Sequence, residues 1–145
     1  ALMSVLSFVD KILIYDTGST DKTVEIIKSI KSPKIIFKEK GKVSPTELVK
    51  LRNEQIQKTK TKFFMILDGD EIWPKANIKK SLFDLKNLPA GKIAIYCRTR
   101  NVVGDIYHYL SENTGNYKFQ GRKGHYNMRF FRNISGISAS GIYPF

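Results

Sequence analysis

The sequence predicts an α/β domain built on a mostly parallel sheet with helices on both faces. Short apolar runs of strand length alternate with amphipathic, helix-period stretches, and that alternation is the pattern of strands joined by crossover helices. The most apolar run, residues 63–67 (FFMIL), reads as a central strand covered on both sides. Two acidic, Gly-containing turns directly follow apolar runs, at the carboxyl ends of strands, where ligands of such sheets bind.

Each element has a local cause. Leu2, Val5, Leu6 and Val9 recur with helical spacing and mark one apolar face. Residues 11–15 form a short buried strand. Asp16-Thr17-Gly18-Ser19-Thr20-Asp21 is a tight polar turn, with Asp21 placed to cap the next helix. That helix carries Val24, Ile26, Ile27 and Ile30 and stops before Pro33. Residues 34–38 (KIIFK) are a second strand, followed by a basic loop at 39–43. Ser44-Pro45-Thr46-Glu47 is a capping box with Pro in the first helical position, so a helix starts there and runs to about Lys58. After the strand at 63–67 and the turn Asp68-Gly69-Asp70-Glu71, a helix is predicted over 77–88, broken by Pro89-Ala90-Gly91. Residues 92–103 read as a strand in which Ile93, Ile95 and Cys97 alternate. Residues 104–124 are aromatic, contain Gly and Asn, and lack a clear period; they read as a hairpin or excursion. A last strand is expected at 128–132.

Length and composition narrow the class. The chain has 145 residues, enough for one domain with a real core, and 41% hydrophobic residues with nine Phe and seven Tyr, which excludes a disordered chain. Its single Cys, Cys97, excludes an intramolecular disulfide framework and a Cys-rich zinc site, and alternates with apolar neighbours as a buried small residue. No apolar run approaches the ~20 residues of a membrane span. The chain begins at Ala1 inside an amphipathic pattern and ends at Phe145 without a closing element, so it reads as a fragment, incomplete at both ends.

The net charge is +12, carried by 25 Lys and Arg against 13 Asp and Glu. A basic surface attracts nucleic acid, acidic membranes or phosphorylated small molecules. Nineteen of the cations are Lys spread along the chain, and no nucleic-acid motif accompanies them, so nucleic acid is not an expected partner. The C-terminal third is richer in Arg, with Arg98, Arg100, Arg122, Arg129 and Arg132 alongside Lys123. Arg suits bidentate phosphate recognition, and this region is where contacts to an anionic substrate are expected. Arg129 and Arg132 are three apart on a strand and face opposite sides, so at most one of them reaches such a ligand.

The two acidic turns carry the chemistry. Asp68-Gly69-Asp70 sets two carboxylates across a Gly that lets the backbone turn tightly. Hard divalent cations take oxygen ligands, and Mg²⁺ fills the rest of its shell with water and substrate phosphates. A lone acidic pair also occurs in plain turns that precede helices. The turn from Asp16 to Asp21 is longer. Gly18 permits a positive φ, Ser19, Thr20 and Asp21 can cap a helix, and Asp16 can accept hydrogen bonds from a sugar or base. In a parallel sheet both turns share one edge and can converge on one ligand.

With these turns in view, the sequence resembles the family 2 glycosyltransferases, which have the A-type, Rossmann-like nucleotide-sugar fold. The resemblance rests on ILIYDTGSTDKTVEII (residues 12–27), LRNEQI (51–56) and FFMILDGDEIWP (63–74), in that order, with a fainter echo in MRFFRNISGISASG (128–141). It implies a single transferase domain over 1–145. Residues 1–103 would form the donor-binding part and residues 104–145 the start of an acceptor-side part. It implies that Asp16 contacts the nucleoside of a nucleotide-sugar donor, commonly a UDP-sugar, with Gly18 and Ser19 in the same turn. Arg52 and Asn53 would line the donor site. Asp68 would sit near the ribose and the metal, and Asp70 would be the main ligand of Mn²⁺ or Mg²⁺. The reaction implied is an inverting displacement onto a glycan, lipid or protein acceptor. The absence of disulfides and spans places it in the cytoplasm, or peripherally on the inner face of the membrane.

Departures from the family pattern are specific. The first strand of the family is absent before the first helix. The segment that carries an acidic or His general base in relatives reads Gly141-Ile142-Tyr143-Pro144-Phe145 here, so the base is expected outside the chain. Glu71, Glu112, His108 and His125 are not favoured for that role. Trp73 reads as a stacking residue or as packing at a helix start. Tyr107, Tyr109, Tyr117 and Phe119 read as an acceptor platform or as packing of the excursion. Three other functions fit parts of the sequence: a haloacid dehalogenase-type phosphatase with the first Asp of Asp68-Gly69-Asp70 as nucleophile, a non-catalytic nucleotide-sugar binding module, and a basic domain that binds acidic polymer.

Overall fold

Two β-branched runs, Ile12–Asp16 (β1) and Ile35–Glu39 (β2), flank one amphipathic helix, Thr23–Ser29 (α2). A crossover helix of this kind lets consecutive strands pair in parallel, and β1 and β2 do so from Ile12 opposite Ile35 to Asp16 opposite Glu39. The computed structural model describes residues 1–115 and 117–141. Before β1 lie a short helix, Leu2–Val5 (α1), and a 3₁₀ turn, Leu6–Phe8. After β2 come Pro45–Lys58 (α3), Phe63–Met65 (β3), Lys75–Lys86 (α4) and Ala94–Arg98 (β4). Two hairpins follow, Val102–Val103 (β5) with Asp105–Tyr109 (β6) and Tyr117–Phe119 (β7) with Arg122–Gly124 (β8). Tyr126–Arg132 (β9) closes the series.

The expected capping box is present. Glu47 N–H donates to Ser44 Oγ at 3.3 Å and Ser44 N–H donates to Glu47 Oε2 at 2.8 Å, which sets the start of α3 at Pro45. Helix α4 starts at Lys75, two residues before the expected position, because Pro74 sets the backbone angle for entering the helix. It stops at Lys86, where Asn87 Nδ2 donates to the carbonyl of Phe83 at 2.8 Å. The Asp21 carboxylate accepts from Thr23 N–H at 2.9 Å and so serves the first turn of α2 as expected, although the helix itself begins after Lys22.

The core lies between α1, α4 and the strands β4 and β9. Val5, Ile78, Leu85, Cys97 and Phe130 are buried against one another. Ile78 and Leu85 are seven apart on α4 and therefore share a face. Burial of each such aliphatic side chain stabilises the fold by about 1.5–3 kcal/mol. Trp73 belongs to this packing: its ring meets Phe130 edge-on at 5.3 Å and its backbone N–H donates to Ser4 Oγ at 3.1 Å. Of the two readings of Trp73, helix-start packing is the one observed.

The sheet departs from the expected parallel arrangement. Among the described residues only β1 and β2 pair in parallel; the ladder β3-β9-β4 is antiparallel, and so are both hairpins. The reason lies in the connections. A parallel return needs a crossover, usually a helix, and the chain supplies one up to β4. Between β4 and β9 the described residues supply two hairpins and a 3₁₀ turn at Glu112–Thr114 but no crossover α-helix, so β9 comes back antiparallel and inserts between β3 and β4. The expected central strand at 63–67 is also corrected. Strand β3 covers three residues at the edge of its ladder, and the seven-residue β9 is central, with Phe130 1% exposed. Ile66 continues the contact with one bond, donating to Arg129 O at 2.8 Å, before the chain turns into Asp68.

Strands β3 and β4 both run antiparallel to β9, so their carboxyl ends reach the same edge of this ladder. The β4-β9 register skips one residue: Ile95 faces Phe130, while Tyr96 faces Met128. Arg129 is the extra residue, and bulges of this kind re-aim side chains.

Candidate active site

The first acidic turn is internally bonded. Asp16 ends β1 and is 8% exposed. Its Oδ2 accepts from Gly18 N–H at 3.0 Å and Ser19 N–H at 3.2 Å. The Ser19 side chain, with these two amides, holds the carboxyl below its usual range against the opposing effect of desolvation. Gly18 has φ +98°, and a Cβ there would lie 3.0 Å from Lys42 N and 3.1 Å from Lys42 Cα. The loop after β2 is drawn over the turn, with Lys40 N–H donating to Asp16 O at 2.8 Å. Asp16, Gly18 and Ser19 thus form one rigid unit.

The second turn is organised by a residue from another strand. Arg129 Nη2 lies 2.6 Å from Asp68 Oδ2 and 2.5 Å from Glu71 Oε1, and Arg129 Nε donates to Glu71 Oε1 at 2.7 Å. Arg52 Nη2 stands 3.8 Å from the other oxygen, Asp68 Oδ1. Glu71 also accepts from Trp73 Nε1 at 3.3 Å, which ties the turn to the core. Asp70 differs: it is exposed and makes no hydrogen bond or ion pair with any described residue.

Helix α3 links the two turns. Arg52 reaches Asp68, while Gln55 Nε2 donates to Leu13 O at 3.0 Å and Glu54 accepts from Tyr15 Oη at 2.9 Å. Asn53 bonds in another direction. Its amide donates to Ala139 O at 3.0 Å and accepts from Ala139 N–H at 2.7 Å, anchoring the segment after β9. Among the predicted residues, Arg52 and Asp68 therefore meet directly, and Asn53 fastens residue 139 beside them.

The donor set suits a hard cation in a limited way. Among the described residues no group of three or more His, Cys, Asp or Glu side chains could hold a metal. Asp70 is a free oxygen donor in the turn that follows β3, and Mg²⁺ commonly uses one or two carboxylates with substrate phosphates completing its shell. Asp68 already faces two guanidinium groups.

The remaining candidates fall into place. Glu71 is bound by Arg129, and Glu112 pairs with Arg98. His108 bonds to Asp105 at 2.8 Å and is exposed. His125 Nδ1 meets Asn101 at 3.2 Å. Residues 142–145, part of the segment in which the resemblance implies a base, lie outside the described residues. Of the two strand arginines, Arg129 engages the acidic turn, while Arg132 donates to the carbonyls of Leu88 and Lys92. Nothing local in the sequence joins Glu71 to Arg129, 58 positions away. A phosphatase reading needs Asp68 free as a nucleophile, which its two arginines oppose. No helix among the described residues is long and apolar enough to cross a membrane.

The family model for glycosyl transferase family 2 matches residues 1–140. No curated protein and no solved structure matches the chain. The match spans both acidic turns, helix α3 and strand β9, and the chain belongs to glycosyltransferase family 2, whose members have the A-type fold and transfer sugars.

Proposed function

We propose that this domain transfers a sugar from a UDP-sugar to a glycan, lipid or protein acceptor with inversion and with the help of Mn²⁺ or Mg²⁺. The observation that carries this reading is the division of labour in the second turn: Asp68 is held by Arg129, and Asp70 is left free and exposed two residues on. Asp70 would hold the cation, with Asp68 beside it. The cation, when bound, supplies Lewis-acid neutralisation of charge on the departing diphosphate.

The chain's own residues do the rest. Asp16, fixed by its turn, presents its second oxygen to the nucleoside. Arg52, 3.8 Å from Asp68, would turn its guanidinium to a donor phosphate. Arg129 holds Asp68 and Glu71 in one geometry, so little reorganisation of the turn is needed when the donor binds. In the reaction an acceptor hydroxyl oxygen bonds to the anomeric carbon, the bond from that carbon to the diphosphate oxygen breaks, and the hydroxyl proton passes to a carboxylate or imidazole base. Residues 1–103 form the donor-binding part and residues 104–145 begin the acceptor-side part. The domain works in the cytoplasm or on the inner face of the membrane.

The test uses Trp73, which stands three residues after Asp70. Mn²⁺ is titrated with and without UDP while Trp73 fluorescence is followed, in the wild type and in Asp70→Asn. UDP-dependent quenching that disappears in the variant supports the site. Equal binding of UDP and Mn²⁺ by both proteins overturns it. Donor binding without sugar transfer to any acceptor would favour the binding-module reading.

A further inference from the structure

Beyond the acidic turns, the ladder edge carries a second concave site. On the side of β4 and β9 away from the core, Arg98 faces Tyr126 across the register, at the end of the ladder where β3 leads into Asp68. The β7-β8 hairpin folds onto this side. Phe119 sits between Tyr96, at 5.1 Å, and Tyr126, at 5.9 Å, measured between ring centroids. The result is an open cleft of about 460 Å³ lined by Arg98, Phe119, Gln120, Arg122 and Tyr126. A smaller cleft of about 160 Å³ shares Tyr126 and is lined by hydrogen-bonding groups, among them Thr99, Asn101, His125 and Asn127.

The larger cleft combines two guanidinium groups, two aromatic rings and one amide. Aromatic faces accept the apolar C–H face of a pyranose, and guanidinium forks bind a carboxylate or phosphate in bidentate fashion. Its volume falls in the range of pockets that take small ligands. Arg98 already carries a carboxylate, that of Glu112. The pair is exposed, of the kind that contributes little stability, so a bound anion displaces it at small cost. The smaller cleft offers amide, hydroxyl and imidazole groups, the partners of neutral sugar hydroxyls.

We propose that these two adjoining clefts are subsites for an anionic saccharide. The acidic sugar, bearing a carboxylate or a phosphate, would lie between Arg98 and Arg122 on the rings of Phe119 and Tyr126, and its neutral neighbour would lie beyond Tyr126. This rests on the glycosyl transfer reading only in naming the ligand as the acceptor. Binding to the clefts needs neither UDP nor metal.

The test is therefore made without either. Tetragalacturonate, glucose 6-phosphate and the neutral maltotetraose are titrated against the whole chain by calorimetry and by saturation-transfer NMR, in the wild type, Arg122→Gln and Lys123→Gln. Lys123 lies on the same hairpin and lines neither cleft, so its variant removes the same charge elsewhere. The expected result is saturable binding of an anionic probe over maltotetraose. Arg122→Gln should weaken it at least about tenfold, the loss of one charge-assisted hydrogen bond, and Lys123→Gln less than about twofold. The probe that binds tells carboxylate from phosphate. No saturable binding, equal binding of maltotetraose, or equal losses in the two variants would overturn the proposal. Failure here with intact UDP and Mn²⁺ quenching of Trp73 leaves the transferase reading standing, and the converse result removes that reading alone.

Discussion

Arg129 Nη2 lies 2.6 Å from Asp68 Oδ2 and so joins two residues 61 positions apart. The Arg129 side chain is 13% exposed, and Asp68 and Glu71 both depend on it. A bulge in β9 leaves Arg129 without a partner on β4 and frees it to turn toward the acidic loop. The position of the acidic turn is thus set by a strand that follows it by some sixty residues.

Arg129→Gln should lower the stability of the fold by about 2 kcal/mol, less than for a fully buried pair because Asp68 is partly in water. Arg129→Lys should recover only part of this, since an ammonium cannot hold both carboxylates with a planar fork. Urea unfolding of the three proteins checks this. Equal midpoints for all three would show that the turn holds its shape without the clamp.

Gly18→Ala should destabilise by about 1–3 kcal/mol, because φ +98° is strained for Ala and the new Cβ meets the backbone of Lys42. Gly41→Ala is the control. Gly41 also has positive φ, at +72°, but a Cβ there meets nothing within 4 Å, so its loss should be the smaller of the two. Thermal unfolding measures the difference, and the ranking is the prediction.

Glu54 makes the fold sensitive to acid. Lys58 first, then Lys40 and the Tyr15 hydroxyl, hold its carboxyl down at about 2 from an ordinary value of 4.5. A carboxyl whose pKa is lowered by folding contributes stability above its unfolded pKa and loses it as pH falls through the folded value. Asp16 shifts in the same direction. Unfolding midpoints should hold steady down to about pH 5 and fall from there toward about pH 2. Glu54→Gln should flatten part of this fall and lower stability at neutral pH, since Lys40 and Lys58 then face Tyr15 and each other without a counter-charge.

Cys97 should be nearly inert in the native state. Burial raises its thiol to about 11 from an ordinary 9.0. At pH 8 the thiolate fraction is then about a hundredth of that in the unfolded chain, and reaction with iodoacetamide should slow by at least that factor. The native state holds the proton longer, so the associated stability is present below about pH 9 and lost as pH rises through about 11. Alkylation rates in buffer and in urea give the ratio. A native rate near the unfolded one would mean that the core opens often around β4.

Much of this protein was determined by sequence alone. The capping box at Ser44, the Asx-type bonding at Asp16 and Asp21, the alternation of helix and strand through β4 and the two acidic turns all rest on neighbours within a few positions. Chemistry at that range is written directly in residue types. The family, too, was legible from motifs of this local kind, and so was the burial of Cys97. Tertiary structure alone decided the sheet and the state of each carboxylate. Strand order depends on which connection the chain makes after β4, and hairpins rather than a helix bring β9 back antiparallel. The clamp of Arg129 on Asp68, the freedom of Asp70 and the cleft beside Tyr126 depend on that same return. No local pattern encodes a contact across sixty residues; it exists because β9 is the strand long enough to pair on both sides, and its bulge turns one arginine toward the loop.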